Sequence, residues 1–272
     1  MSFAIKLIEL IQFIVTAPPA YGWYHLLMLA ITAGVTVLFV KKFRTCDDIS
    51  FRRVVLICWI VILALELFKQ FIYSVYITDG QIAFAYQWWT FPFQFCSSPL
   101  YILPFLAFLP KGKVYNALMM FTATFCFFGG FVVMLYPGDV FTYYIGINIQ
   151  TMVHHGMQVV MGILCALRLM DQKKYTMWNF LGGSIVFASM SAIALVLNEI
   201  WYDRVNLFYI SSHHTSTLPI LSSIYPLVPY PVFLLIYLIG FMLAAQIIYW
   251  SILGITKLVC HIKRGGKGET LS

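Results

Sequence analysis

Long apolar runs separated by short polar gaps constrain the fold of this chain more than any other feature. The runs lie near residues 22–40, 53–78, 91–110, 114–136, 144–170, 177–199 and 228–256. Each approaches the ~20 residues that an α-helix needs to cross the hydrocarbon core of a bilayer. The pattern therefore predicts an all-α polytopic membrane protein with seven transmembrane helices.

The distribution of basic residues predicts how these helices are oriented. Of the 17 Lys and Arg residues, 14 lie in alternate gaps and in the C-terminal tail. The basic gaps are residues 41–53, 111–113 and 168–174. The other gaps contain one basic residue, Arg204, and lie at 79–90, 137–143 and 200–227. Because Lys and Arg in short loops stay on the cytoplasmic side, the N-terminus is predicted outside and the C-terminus inside.

Composition excludes a water-soluble body. Hydrophobic residues make up 61% of the chain and charged residues only 10%, whereas about 25% of residues are charged in soluble domains. The formal net charge of +7 is spread over the predicted cytoplasmic side, where it meets anionic lipid headgroups. We therefore expect membrane phospholipids as partners, no nucleic acid, and a multi-pass protein of the cell membrane.

The chain divides into one transmembrane domain with two flanking segments. Residues 1–21 are expected to form an interfacial segment, because the apolar residues of 3–16 gather on one side of a helix. The seven-helix domain spans 22–256, and a basic cytoplasmic tail follows at 257–272. No gap is long enough for a separate soluble domain.

The six cysteines do not suggest a disulfide framework. Only Cys96 is predicted near the outer face, so it has no partner on the oxidising side. A thiol in that position is either a small buried hydrophobe or a residue kept for chemistry. The sequence also lacks a phosphate-binding loop and a metal-binding motif, so no cofactor is predicted.

Ionisable and amide side chains inside the apolar runs are costly and are candidates for a functional site. Glu66 is followed one turn later by Lys69, which is compatible with an internal ion pair as well as with a functional role. By helical rise, His155 lies ~16 Å and Glu66 ~18 Å below the outer surface. Cys96 and Asn198 lie nearer the outer ends of their helices. Their depths predict one polar cavity that opens outward.

Two adjacent histidines occupy the fifth apolar run. His154 and His155 are ~100° apart on a helix, so they are not expected to point in the same direction. A satisfied hydrogen bond between helices is an alternative explanation for either ring.

Several short motifs follow one another in a recognisable order. They are Phe-Pro-Phe-Gln-Phe-Cys at 91–96, His155-Gly156, Asn198, Asn206 followed by Leu207-Phe208, and His25 near the start of the first run. In order and spacing over residues 20–255, they resemble the YwaF-like family of integral membrane proteins. The vertebrate relatives of that family include a transmembrane acyltransferase that acts on ether phospholipids. One position departs from the pattern: Gln94, which cannot titrate, replaces a His two residues before the Cys.

The resemblance implies a lipid acyltransferase or acyl hydrolase with a Cys–His pair. Cys96 would be the nucleophile and His155 its general base, since a neighbouring His activates a thiol by taking its proton. The acyl donor and acceptor would be membrane lipids. The supporting residues would be Gln94, Asn198, Asn206, Glu66, His154 and His25, with the amide of Gln94 or Asn198 holding the oxyanion.

Two other classes of function remain open from the sequence. Seven spans with the N-terminus outside are also the arrangement of a receptor-like protein that binds a small ligand or lipid. A proton-coupled transporter would use Glu66, Lys69 and the His pair as a relay. Against a transporter, the sequence has no visible internal repeat.

The predicted topology can be tested by labelling single cysteines. A cysteine at position 113, in an otherwise cysteine-free variant, should resist a membrane-impermeant maleimide applied to intact cells, because the 111–113 loop is predicted inside. A cysteine at position 203 should react under the same conditions. Labelling of position 113 without permeabilisation would contradict the orientation.

Overall fold

The computed structural model describes residues 2–138 and 140–265, which are mostly helical. The helices of two turns or more are α1 (Phe3–Ile11), α2 (Trp23–Phe43), α3 (Asp48–Ser74), α4 (Ser98–Phe108), α5 (Lys113–Leu135), α6 (Ile145–Asp171), α7 (Met177–Trp201) and α8 (Tyr230–Gly265). Within the described residues, six helices are long and apolar enough to cross a membrane: α2, α3, α5, α6, α7 and α8. The protein is therefore a multi-pass membrane protein.

The predicted run at 91–110 gives a shorter helical stretch, Phe95–Phe108. Its first residues form a separate 3₁₀ turn, and α4 itself starts at Ser98. Proline explains both limits. Pro99 occupies the first turn of α4, and Pro104 inside the helix lacks the N–H of a regular hydrogen bond. The prediction of seven full transmembrane helices is thus confirmed for six of them.

The run predicted at 53–78 is wrong at both ends. Helix α3 begins earlier, because the Asp47 carboxylate accepts hydrogen bonds from the backbone N–H and the hydroxyl of Ser50. These bonds hold the pKa of Asp47 below its usual range. The helix ends at Ser74, and an antiparallel hairpin follows, with β1 (Val75–Thr78) paired to β2 (Gln81–Phe84) in the register Val75 to Phe84. Its turn contains Gly80 at φ 70°.

Helix α8 continues beyond its predicted end at 256, through Gly265. The first part of the predicted tail is therefore helical, and residues 266–272 lie outside the described part of the chain.

Helices α5 and α6 form the centre of the bundle. Helix α6 packs against α2, α3 and α5, and α5 also contacts α4, α7 and α8. Glycines permit the closest approach: a Cβ on Gly130 would lie 2.6 Å from the carbonyl oxygen of His155, and one on Gly162 would lie 2.6 Å from Phe127. Side chains at either position would push α5 and α6 apart.

A turn of π-helix interrupts α5 at Thr122–Cys126. The Phe125 ring within it stacks on Phe121 and Phe187, with centroid distances of 5.4 and 5.0 Å. Large apolar side chains on the outer surfaces are exposed by contrast, including Ile57, Ile60 and Leu67 of α3. Such surfaces are suited to contact with lipid chains rather than water.

Arg168 ties the α2–α3 connection to the end of α6. Its side chain is 4% exposed and donates hydrogen bonds to the carbonyl oxygens of Phe43 and Cys46 at 3.0 and 2.9 Å. The guanidinium also lies 4.2 Å from the ring centroid of Phe51 and 3.4 Å from a carboxylate oxygen of Asp48. This buried cation satisfies carbonyl groups at the end of α2 and just after it.

The N-terminal segment is attached to the opposite end of the bundle. The side-chain amide of Gln12 donates to the carbonyl oxygens of Ile72 and Val75, and the N–H of Val15 donates to Tyr143. Helix α1 exposes Phe3 and other apolar side chains away from these contacts. Its predicted position in the membrane interface stays a prediction.

Candidate functional site

A cavity of about 550 Å³ lies inside the bundle. Side chains of α3, α5, α6 and α8 line it, together with the 89–97 segment and the loop after α7. Five residues singled out from the sequence are among those that line it: Glu66, Gln94, Cys96, His154 and His155. Its volume is in the range typical of pockets for small molecules.

The backbone around Cys96 is held by two side chains of α6. Cys96 lies in the 3₁₀ turn before α4, so its carbonyl group lacks the partner that a longer helix would supply. The Nε2–H of His154 donates to this carbonyl oxygen at 2.8 Å, and the amide of Gln158 donates to it at 2.6 Å. The side chain of Cys96 itself is half-buried in the cavity wall. Helix α6 thus fixes the backbone that carries the thiol.

The hydrogen bonds of the two histidines define their neutral tautomers. A carbonyl oxygen can only accept, so His154 carries its proton on Nε2, and its buried Nδ1 has no hydrogen-bond partner. His155 donates from Nδ1 to the carbonyl oxygen of Thr151 at 2.7 Å, which leaves the lone pair on Nε2. Each neutral ring therefore keeps one basic nitrogen.

The expectation that His154 and His155 point in different directions is only partly right. Their ring centroids are 5.2 Å apart, and both rings line the cavity. Both rings reach the cavity, although they differ by ~100° around the helix, because the cavity borders a broad face of α6 that also includes Thr151. His154, rather than His155, makes the contact with the backbone of Cys96.

Glu66 forms the internal ion pair that its spacing allowed. Lys69 Nζ lies 2.9 Å from Glu66 Oε1, and the amide of Gln70 donates to the same oxygen at 2.6 Å. Gln70 also donates to the carbonyl oxygen of Thr90 and accepts from its hydroxyl. The charge of Glu66 is thus compensated, and the pair belongs to a network that joins α3 to the 87–90 turn.

Asn198 does not line the cavity, which corrects the sequence prediction. It is fully buried, and its side-chain oxygen accepts from the N–H of Leu207 at 2.7 Å while its amide donates to the Leu207 carbonyl at 3.0 Å. Gln94 makes a similar pair of bonds, accepting from Phe208 N–H and donating to the carbonyl oxygen of Asn206. Each of these amides uses its oxygen and one N–H to hold the loop.

The loop that they hold is strained. Phe208 and Tyr209 both have positive φ, 55° and 58°, which is uncommon for residues with bulky side chains. Both line the cavity. The side chain of Asn206 itself stays within the loop, where it bonds to Ser211 and Thr215. Asn206 is therefore a loop residue rather than a cavity residue.

His25 is also structural. It is fully buried, with Nε2 donating to the carbonyl oxygen of Met134 and Nδ1 accepting from the N–H of Tyr21. Both ring nitrogens are therefore used in hydrogen bonds that join the start of α2 to the end of α5. His25 does not line the cavity.

Tyr237 is a cavity residue that sequence reasoning missed. It lies in α8, is fully buried and has a hydroxyl with no hydrogen-bond partner. No signal marks it in the sequence, because its neighbours in the run are apolar and nothing distinguishes it from a packed aromatic residue. Among residues 2–138 and 140–265, no group of three or more His, Cys, Asp or Glu side chains is placed to hold a metal ion.

Comparison with known protein families identifies one family for this chain. The sequence profile of the TMEM164 family matches residues 20–250. The chain belongs to the TMEM164 family. The match covers every residue that lines the cavity. No curated protein and no solved structure matches the chain. The more specific assignment to a YwaF-like group stays a prediction.

The structural role of Asn198 can be tested by its removal. Asn198→Ala would leave the N–H and carbonyl of Leu207 without partners in a buried place, and an unsatisfied buried group costs about 1–3 kcal/mol. We expect a clear fall in the melting temperature of the purified protein in detergent. Asn116→Ala is the matched control, because Asn116 is half-buried and makes no side-chain hydrogen bond in the described structure. Equal melting temperatures for the two variants would contradict the assignment.

Proposed function

We propose that this protein transfers acyl chains between membrane phospholipids, or hydrolyses them, through a thioester on Cys96. One observation carries the proposal: a half-buried thiol shares a cavity with two histidines that each keep a basic ring nitrogen. Membership of the TMEM164 family supports a function in the membrane. The resemblance to relatives of an ether-phospholipid acyltransferase suggests the substrate class.

The chemistry divides into two steps. In the first, a His takes the proton of the Cys96 thiol, and the sulfur attacks the ester carbonyl of a donor phospholipid. The acyl–sulfur bond forms, the acyl–oxygen bond breaks, and the departing lipid alkoxide takes the proton from the imidazolium. In the second step, the hydroxyl of an acceptor lysophospholipid, or water, gives its proton to the His and attacks the thioester, and the thiol is restored.

We assign the general base to His155 and a positioning role to His154. His155 lies in the His-Gly pair of the resemblance, and its Nε2 makes no hydrogen bond in the described structure. His154 donates its N–H to the backbone carbonyl of Cys96. The replacement of a His by Gln94 does not remove the base from the cavity, because Gln94 holds the 206–208 loop while α6 provides both imidazoles.

The orientation and location of the protein belong to the same proposal. Seven spans, counting the short Phe95–Phe108 helix, with the basic loops inside would place the cavity in the outer half of the cell membrane. Lipid chains would then enter sideways between helices, with their ester groups near Cys96. Membrane phospholipids are accordingly the proposed donors and acceptors.

Substitution of Cys96 tests the proposal directly. In liposomes containing the purified protein, Cys96→Ala should abolish exchange of acyl chains between phospholipids, while the fold stays intact because both side chains are small. Loss of a general base typically lowers the rate by about 10²–10⁴-fold. We expect the rate of acyl exchange by His155→Ala to fall by a factor in that range. His154→Ala should be less severe under this assignment.

Cys165→Ala serves as the control, since Cys165 is fully buried and does not line the cavity. Its activity should equal that of the wild type. Full activity of Cys96→Ala would end the acyltransferase proposal and favour ligand binding or transport.

A further inference from the structure

Tyr237 places a hydroxyl where the surrounding side chains are aromatic hydrocarbons. Its ring centroid lies 4.5 Å from that of Phe241, 6.2 Å from Phe187 and 6.5 Å from Phe233. The side chain is fully buried, and the hydroxyl has no partner among the described residues. A phenylalanine would fill the same space without a polar atom to satisfy. The hydroxyl is therefore unexplained by packing.

Three other buried or half-buried tyrosines of the bundle do not share this property, whereas Tyr24, which does not line the cavity, also has an unpaired hydroxyl. The hydroxyl of Tyr101 donates to the carbonyl oxygen of Pro92, that of Tyr230 to Ile210, and that of Tyr249 to Tyr175. Buried polar groups without a partner are uncommon, and a catalytic role is one explanation for such a group. Tyr237 lines the same cavity as Cys96, so its missing partner can come from what the cavity binds.

We propose that the Tyr237 hydroxyl donates a hydrogen bond to the carbonyl oxygen of the acyl group that Cys96 attacks. This inference rests on the proposed acyl transfer. An ester carbonyl oxygen accepts hydrogen bonds and cannot donate them, which matches an unpaired hydroxyl donor. When the thiolate adds to the carbonyl carbon, negative charge develops on this oxygen and strengthens the bond in the transition state.

The assignment also replaces the donors expected from the sequence. The amide of Asn198 bonds to the backbone of Leu207, and Gln94 uses its oxygen and one N–H on the 206–208 loop. The Tyr237 hydroxyl, by contrast, makes no hydrogen bond within the described residues. Its ring is held on several sides by phenylalanines, which fixes the hydroxyl in advance, as an oxyanion donor requires.

The test is the turnover of Tyr237→Phe in liposomes, which deletes one oxygen atom and keeps the ring. Loss of a single oxyanion donor typically lowers turnover by about 10²–10³-fold, and we expect a fall of at least about tenfold here. The half-saturating concentration of phospholipid should change less than about threefold, because the bond strengthens mainly in the transition state. The melting temperature should not fall, since the deleted hydroxyl has no partner.

Tyr249→Phe is the matched control. Tyr249 lies on the same helix, 12 residues or about 18 Å further along, and does not line the cavity. Its variant should keep wild-type turnover. A Tyr237→Phe variant with wild-type turnover would overturn the inference, as would a loss of turnover accompanied by a lower melting temperature.

Cys96→Ala in the same assay separates the two proposals. If Cys96→Ala is inactive while Tyr237→Phe is fully active, the inference about Tyr237 fails and the acyl transfer stands. If Cys96→Ala is as active as the wild type, the proposed function fails, and the role of Tyr237 fails with it. An inactive Cys96→Ala together with a slowed Tyr237→Phe supports both.

Discussion

The need to satisfy backbone polar groups inside an apolar bundle governs this structure. A polypeptide in hydrocarbon must bond its own N–H and C=O groups, so it forms helices and tolerates irregular backbone only where protein surrounds it. Here two irregular segments, 91–97 and 206–209, enter the bundle. Polar side chains of the neighbouring helices provide the partners that helical backbone would otherwise provide. His154 and Gln158 bond to the first segment, and Asn198 bonds to the second.

This constraint explains why polar residues gather around one cavity. The irregular backbone at 91–97 leaves carbonyl groups without helical partners, and that of Cys96 receives its donors from another helix, α6. The same irregular backbone lets the side chain of Cys96 reach a cavity instead of packing inside a helix pair. Structural and chemical roles are therefore combined, and His154 illustrates this: one ring nitrogen supports the backbone of Cys96, while the other is unpaired.

The sequence predicted much of the fold because transmembrane helices depend on local composition. Long apolar runs located six spanning helices, and the spacing of Glu66 and Lys69 allowed the ion pair that they form. The positions of Glu66, Cys96 and His155 along their helices also predicted that they line one cavity, as they do. Composition alone does not predict where a helix ends and another kind of structure begins. Val75–Thr78 is as apolar as the helix before it, yet it forms a hairpin strand.

The roles of individual polar residues were less predictable, because they depend on contacts between distant parts of the chain. The bond of Asn198 to Leu207 depends on the strained path of a loop. Tyr237 carries no sequence signal, since a tyrosine in an apolar helix differs from its neighbours by one hydroxyl. Only the structure shows that this hydroxyl is buried beside the cavity without a partner.

The central claim is that Cys96 carries the acyl chain as a thioester, and peptide mass spectrometry tests it most directly. Purified protein is incubated with donor phospholipid, digested and examined for an acyl mass on the peptide that contains Cys96. The account predicts an adduct on Cys96 that neutral hydroxylamine removes and that disappears when an acceptor lysophospholipid is added. Acyl transfer in the absence of any acylated Cys96, in a reaction stopped during turnover, would contradict it.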